Sequence, residues 1–260
     1  MLNKIMMLCN RHINTEYEIL IPDGPFRVDS NEGILAVTDR EEDLAILNKS
    51  GIPVLFVSSE DRFIPGAGYV TYSPEECDDK YFNMVYSRQM GLPVTVFETE
   101  RTIVREMTLK DLEELYVIYD DDLIRRYVEP LYPYEEEKEF TKKYIRNMYG
   151  MYGYGLWMVI DKATGNVIGR IGISIRKIDG RDCNELGYLV RKEYRRKGFA
   201  YEVCKAVTEY AFGTLGMDGL YIVTAEDNGI SLKLCSKLEF KYYGEYSGEN
   251  TRYLVFKKNL

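Results

Sequence analysis

The residues of this 260-residue chain whose types and spacing suit chemistry cluster between Leu186 and Glu202. An apolar strand, Leu186-Gly187-Tyr188-Leu189-Val190, runs into the basic loop 191–197 and then into a helix with Ala200, Val203, Cys204, Val207 and Ala211 on one face. The loop carries the spacing R-x-x-G-x-A at Arg195, Gly198 and Ala200. Gly198 can take backbone angles closed to other residues, and a small side chain at Ala200 lets a ligand approach the first helical turn. The first N–H groups of a helix have no partner inside it and carry the positive end of its dipole. That geometry favours a pyrophosphate, and Arg195, Arg196 and Lys197 add positive charge beside it. The plainer alternative for this segment is an ordinary basic strand–helix turn, with phosphate binding the favoured reading.

A second segment, Asn228 to Phe240, reads as a helix capped by Asn228, with Ile230, Leu234 and Leu238 inward. In order and spacing the two segments resemble the signatures of the GNAT N-acetyltransferase superfamily. Its acetyl-CoA motif, [Q/R]-x-x-G-x-[G/A], matches Arg195, Gly198 and Ala200, and its next motif matches Asn228, Ser231, Lys237, Leu238 and Phe240. The family's glycine before the final Phe is Glu239 here, a departure that weakens the turn. The resemblance spans about residues 98–260, and the Ser231–Leu238 run is most similar to the branch containing ribosomal-protein alanine and serine N-acetyltransferases. That branch also contains antibiotic- and polyamine-modifying members.

The resemblance implies a strongly twisted mixed sheet flanked by helices and splayed where the cofactor enters. It implies direct transfer of acetyl from acetyl-CoA, the co-substrate, to a primary amine in a ternary complex, with no metal. On that reading the N–H groups from Arg196 through Phe199 and Ala200 to Tyr201 hold the pyrophosphate. Leu189 and Val190 pair with the pantetheine amides, and Asn228 and Ser231 lie across the cleft. An ammonium cannot attack a thioester until something takes its proton, and His12 is the only histidine, so carboxylates or water remain. Glu185 stands where many members of the family place their base. The position of the family's tyrosine proton donor is Cys235, with Tyr242, Tyr243 or water as other donors. The acceptor is a small-molecule amine or a protein N-terminus. Glu129 and Tyr132, in the loop Tyr127–Tyr134, suit a cationic amine through charge and aromatic faces. Tyr149, Tyr152, Tyr154 and Trp157 either line that pocket or pack the core.

Composition limits the rest. The five cysteines are scattered and never spaced C-x-x-C, which argues against a disulfide framework or a thiolate zinc site. With His12 the only histidine, Ser-His-Asp and Cys-His catalysis are nearly excluded. The net charge is −8, with 15 acidic against 8 basic residues in 1–96, so nucleic acid is a poor partner. No apolar run is long enough to span a membrane and no signal-peptide core is visible, which reads as a cytoplasmic protein. The runs Asp120-Asp121-Asp122 and Glu135-Glu136-Glu137 read as solvated faces.

Around these residues the chain reads as two α/β domains, 1–96 and 97–260. In the first, strands at Gly33–Thr38 and Pro53–Val57 flank a helix over 39–49, and Ser73-Pro74 opens a helix running to Met90. This piece is faintly similar to haloacid-dehalogenase-type or receiver-type domains but lacks the D-x-D pair such hydrolases need, so its role reads as structural or regulatory. In the second, strands at 102–106, 156–161, 167–175, 184–190 and 220–225 alternate with helices opened by Thr108 and covering 135–148. The rival to an enzyme is a non-catalytic acyl-CoA sensor.

Overall fold

Runs of β-branched and apolar residues bounded by glycine and proline set the strands. The computed structural model describes residues 1–22, 33–247 and 252–260, and the chain divides into two compact units, Met1–Val94 and Thr95–Leu260.

In the first unit β1 (Lys4–Met7), β2 (Glu18–Leu20), β3 (Ile34–Thr38), β4 (Val54–Val57) and β5 (Val70–Thr71) form a parallel sheet of order β2-β1-β3-β4-β5. Side chains alternate across β3. Leu35 and Val37 pack with Phe82, Val85 and Tyr86 of α2 (Asp79–Gln89), while Ala36 packs with Leu44 and Leu47 of α1 (Glu41–Lys49). Covering both faces is what a parallel sheet requires. The helix does not start at Ser73: Pro74–Glu76 makes one 3₁₀ turn and Cys77 is extended. The working cap is Asp78, whose side chain accepts from the Tyr81 N–H at 2.8 Å.

The second unit is an eight-stranded sheet of order β12-β13-β11-β10-β9-β8-β7-β6. Its first strands are β6 (Thr95–Glu98) and β7 (Thr102–Arg105), and its centre is β8 (Leu156–Asp161), β9 (Val167–Ile178) and β10 (Arg181–Val190). The far side holds β11 (Gly219–Ala225), β12 (Lys241–Ser247) and β13 (Arg252–Asn259). Neighbours are antiparallel except β10 and β11, whose parallel ladder is registered at Glu185↔Tyr221. Past that point Leu186–Val190 keeps its pairing with β9 and Ile222–Ala225 keeps its pairing with β13, with no ladder between them. The sheet therefore forks.

Helices α3 (Leu112–Tyr119), α4 (Asp122–Tyr127), α5 (Tyr134–Tyr144), α6 (Phe199–Gly213) and α7 (Gly229–Lys237) complete the unit. The acidic run is not simply solvated: Asp121 caps α4 by accepting from the Leu123 and Ile124 N–H groups, while Asp120 and Asp122 stay exposed. The helix expected over 135–148 passes at Ile145 into π-type turns reaching Tyr152, which bury Tyr149. Trp157 and Tyr149 are core residues, Trp157 meeting Phe97 and Tyr210 edge-on. Ile230 faces outward at 57% exposure, because its helix turns Ser231 and Cys235 inward instead. Glu239 holds φ = +64°, the left-handed conformation for which glycine is better suited, and still closes α7 through Phe240 N–H to Cys235 O at 3.0 Å.

Candidate active site

The fork opens into a cleft of about 630 Å³, entirely within the second unit. At its closed end lies Glu185, 8% exposed, on the last residue pair that ties β10 to β11. Its carboxylate accepts from Arg176 Nε at 2.7 Å and from Ser174 Oγ at 3.4 Å, both on β9. Burial pushes this carboxyl above its ordinary range, against the pull of Arg176, Ser174 and the Val223 N–H. A carboxylate shifted that way is better matched to take a proton near neutral pH.

Three residues further into the fork, Tyr188 points to the opposite face of β10, as strand alternation dictates. Its hydroxyl lies 2.6 Å from Ser231 Oγ and 3.9 Å from Cys235 Sγ, two residues one turn apart on α7. Burial raises the Tyr188 phenol well above its usual range, so it keeps its proton at neutral pH. Cys235 itself is fully buried behind Tyr188, away from the cleft wall, and burial raises its thiol too. Tyr188 thus occupies the place at the cleft that the sequence reading gave to Cys235. Tyr242 and Tyr243 are 60% and 54% exposed and lie outside the lining. A tyrosine three residues beyond Glu185, opposite a Ser and Cys spaced four apart on a helix, was the available signal for this pair.

At the open end, α6 begins on the cleft. Gly198 is its N-cap at φ = +88° and Arg196 sits at φ = +61°, so successive turns bring N–H groups inward. Phe199, Ala200 and Tyr201, the first helical residues, line the cleft with their N–H groups lacking intrahelical acceptors. An added Cβ at Gly198 meets Arg101 Nη2 at 3.3 Å. Leu189, Val190, Asn228 and Ser231 also line the cleft. The Asn228 side chain spends its oxygen capping α7, on Ser231 N–H at 3.2 Å.

The basic side chains are employed differently from the sequence expectation. Arg195 lines the cleft, but its guanidinium is bound by Asp121 at 2.8 and 3.3 Å and its Nε donates to Val190 O at 2.9 Å. It clamps the end of β10 to the cap of α4. Hydrogen bonding to Arg195 holds the Asp121 carboxyl below its usual range. Lys197 lies outside this lining, its Nζ 5.4 Å over the Tyr194 ring. Of the three acceptor residues, Glu129 lines the cleft. Tyr132 is 53% exposed and packs on Phe140, and Tyr154 donates to Asn184 Oδ1 at 3.0 Å; neither reaches the lining.

A forked mixed sheet with a helix N-terminus at its mouth defines a class. The family model described as an acetyltransferase (GNAT) domain matches residues 101–241, and the chain belongs to that family. It is 29% identical over 151 residues to an uncharacterised N-acetyltransferase, YoaA, of Bacillus subtilis (strain 168), covering 57% of this chain and 84% of that one. Among solved structures, a putative ribosomal-protein-serine acetyltransferase from Vibrio cholerae has a TM-score of 0.52 at 22% identity, over 63% of this chain and 96% of that one. A spermidine N-acetyltransferase chimera of Vibrio cholerae and hSSAT has a TM-score of 0.53 at 18% identity, over 62% and 96%. The fold class read from the sequence, a GNAT-type mixed sheet beside an N-terminal α/β sheet, and the acetyltransferase assignment both stand. Among the described residues no helix is long and apolar enough to cross a membrane.

Proposed function

We propose that this acetyltransferase moves acetyl from acetyl-CoA to a primary amine by direct attack, with Glu185 as base and Tyr188 as proton donor. The observation that carries the reading is the fork itself: it leaves one edge of β10 unpaired, with a buried carboxylate at its base and open N–H groups at its mouth. The cradle suits a pyrophosphate without a cationic side chain, since the N–H groups of Phe199, Ala200 and Tyr201 supply the donors. Strand-like pairing of pantetheine would use β10 short of Val190, whose carbonyl is already taken by Arg195.

Acetyl-CoA supplies a thioester poised for attack. Glu185 takes the proton of the incoming ammonium, directly or through one water. Tyr188 hands its proton to the departing sulfur as the C–S bond breaks. The second proton shed by the new amide nitrogen returns to the Tyr188 oxygen through Ser231 or solvent, while Glu185 releases its own to solvent. Glu129, on the loop after α4, faces the acceptor end. The neighbours named for ribosomal proteins and for spermidine make amines of either kind reasonable first substrates. Gly198→Asp places a side chain and a negative charge in the pyrophosphate cradle. Calorimetry should show acetyl-CoA affinity falling more than tenfold while the fold is retained. Wild-type affinity in that variant would move the cofactor elsewhere. Thiol release with an amine panel separates an enzyme from an acyl-CoA sensor.

A further inference from the structure

The sheet carries one cation that the proposed transfer does not use. Arg170, on β9, lines the cleft and is only 7% exposed. A buried guanidinium stays charged and ordinarily sits against a carboxylate. Among the described residues Arg170 forms no ion pair: Nη1 donates to the Tyr119 hydroxyl at 3.3 Å, and the group lies 5.5 Å from the ring of Tyr144, whose hydroxyl it also hydrogen-bonds. Both neighbours are phenols, neutral at neutral pH. Among the described residues its buried Nε–H has no hydrogen-bond partner. The other arginines of the wall that are held in place are spent, Arg176 on Glu185 and Arg195 on Asp121. Leaving a charged donor buried and unpaired is costly, so a site that retains one is arranged for a group that arrives later.

Register fixes where that group lies. Arg170 pairs with Leu189 and Ser174 pairs with Glu185, so all four side chains share one face of the sheet. Between the two levels Gly172 pairs with Gly187; the Gly155–Leu156 backbone lies against Gly172, and the Leu156 side chain lies over Gly187, where the strip lines the cleft. Four residues of strand rise separate Arg170 from the Glu185 level by about 13 Å. Tyr119, accepting from Arg170, keeps its own O–H to donate at the same spot.

We infer that the acceptor is an amine carrying a carboxylate at the far end of an extended chain, the amine at Glu185 and the carboxylate at Arg170 and Tyr119. This rests on the acetyl-transfer reading and names the substrate class of its acceptor site. It differs from a purely cationic acceptor, for which a buried arginine on the wall is a repulsive element.

The test compares three amines of one length: 5-aminopentanoate, pentylamine and 1,5-diaminopentane. Binding to the full chain saturated with CoA is followed by calorimetry, and thiol release with acetyl-CoA is followed in parallel. The carboxylate should tighten binding over pentylamine about tenfold or more, the size of one charge-assisted hydrogen bond. Arg170→Met should erase that preference while leaving pentylamine and acetyl-CoA binding unchanged, and Arg170→Lys should keep part of it. If Arg170→Met loses acetyl-CoA binding, Arg170→Lys alone decides, by a preference for the carboxylate smaller than wild type. Equal binding of the three amines, or equal losses for all of them in either variant, overturns the proposal. A carboxylate preference without thiol release sustains the anion subsite and removes the transfer reading. Release with pentylamine and the diamine but no such preference does the reverse.

Discussion

Two arginine–carboxylate pairs flank this cleft, and they are nearly the same length. Arg195 meets Asp121 at 2.8 Å, and Arg176 meets Glu185 at 2.7 Å. Both carboxylates expose little surface, 15% and 11%, but Asp121 sits at the cleft mouth and Glu185 deep at the base of the fork. Yet Asp121 is held below its ordinary pKa and Glu185 is raised above its own. For Asp121 the hydrogen bond from Arg195 is the largest effect, reinforced by the two N–H groups it caps. For Glu185 burial at the base of the fork is the largest effect, and Arg176 only partly offsets it. Pair length therefore does not set the chemistry; with two further donors on each carboxylate, it is the depth of burial that separates them. One pair is a fixed clamp at the cleft mouth; the other holds a carboxylate that burial shifts upward against the pull of its arginine.

The greatest loss should come from removing the raised carboxylate. Glu185→Gln should lower kcat by about 10²-fold with acetyl-CoA affinity intact, measured by thiol release and calorimetry. Undiminished turnover across the pH range would transfer the base role to solvent and dissolve the contrast between the two pairs. Tyr188→Phe, which keeps the packing and deletes the hydroxyl, should cost about tenfold, less than a full general acid contributes because water can substitute. Cys235→Ala should cost less than Tyr188→Phe, since its thiol reaches the cleft only through that hydroxyl.

What was legible in the sequence follows from how far apart the partners are. The Arg195–Gly198–Ala200 loop and the Asn228 cap are local devices, set by residues three or four apart, and both are in place. The clamp joins residues 74 apart, and Tyr188 meets Ser231 across 43. No local pattern distinguishes Asp121 from its two exposed neighbours, so the run reads as uniformly solvated. Arg195 likewise reads as free charge beside a phosphate until its partner is known. The aromatic stretch near Trp157 was ambiguous for a related reason: glycine spacing does not say which side of a strand faces the core. The buried Arg170 gave no signal, because a lone arginine in a strand is ordinary in sequence and unusual only in its surroundings.

The pH profile sharpens the comparison next. The base must be ionised, so kcat/KM should rise with pH through the raised pKa of Glu185. Arg176→Met removes the charge that favours the carboxylate, so the acid limb should move to higher pH. An unmoved or lowered limb would mean that Arg176 does not govern that carboxyl.

The clamp should show the smallest effect, and one of opposite sign in pH. Asp121→Asn retains a side-chain oxygen for the α4 cap, since Asn caps about as well as Asp, so the change isolates the ion pair. A pair this close to solvent contributes up to about 1 kcal/mol. Because the folded pKa of Asp121 is lowered, its contribution is present above the unfolded value of about 3.9 and is lost as pH falls through the folded one. Denaturant titrations of both proteins should therefore differ between pH 5 and 8 and converge in stronger acid. Turnover at pH 7 should hardly change, because the donors of the cradle are backbone N–H groups that do not depend on the freed Arg195. A difference that persists undiminished at pH 3 would trace to the cap, leaving the pair without a role in holding α4. A large fall in acetyl-CoA affinity would instead show that the clamp positions the mouth of the cleft.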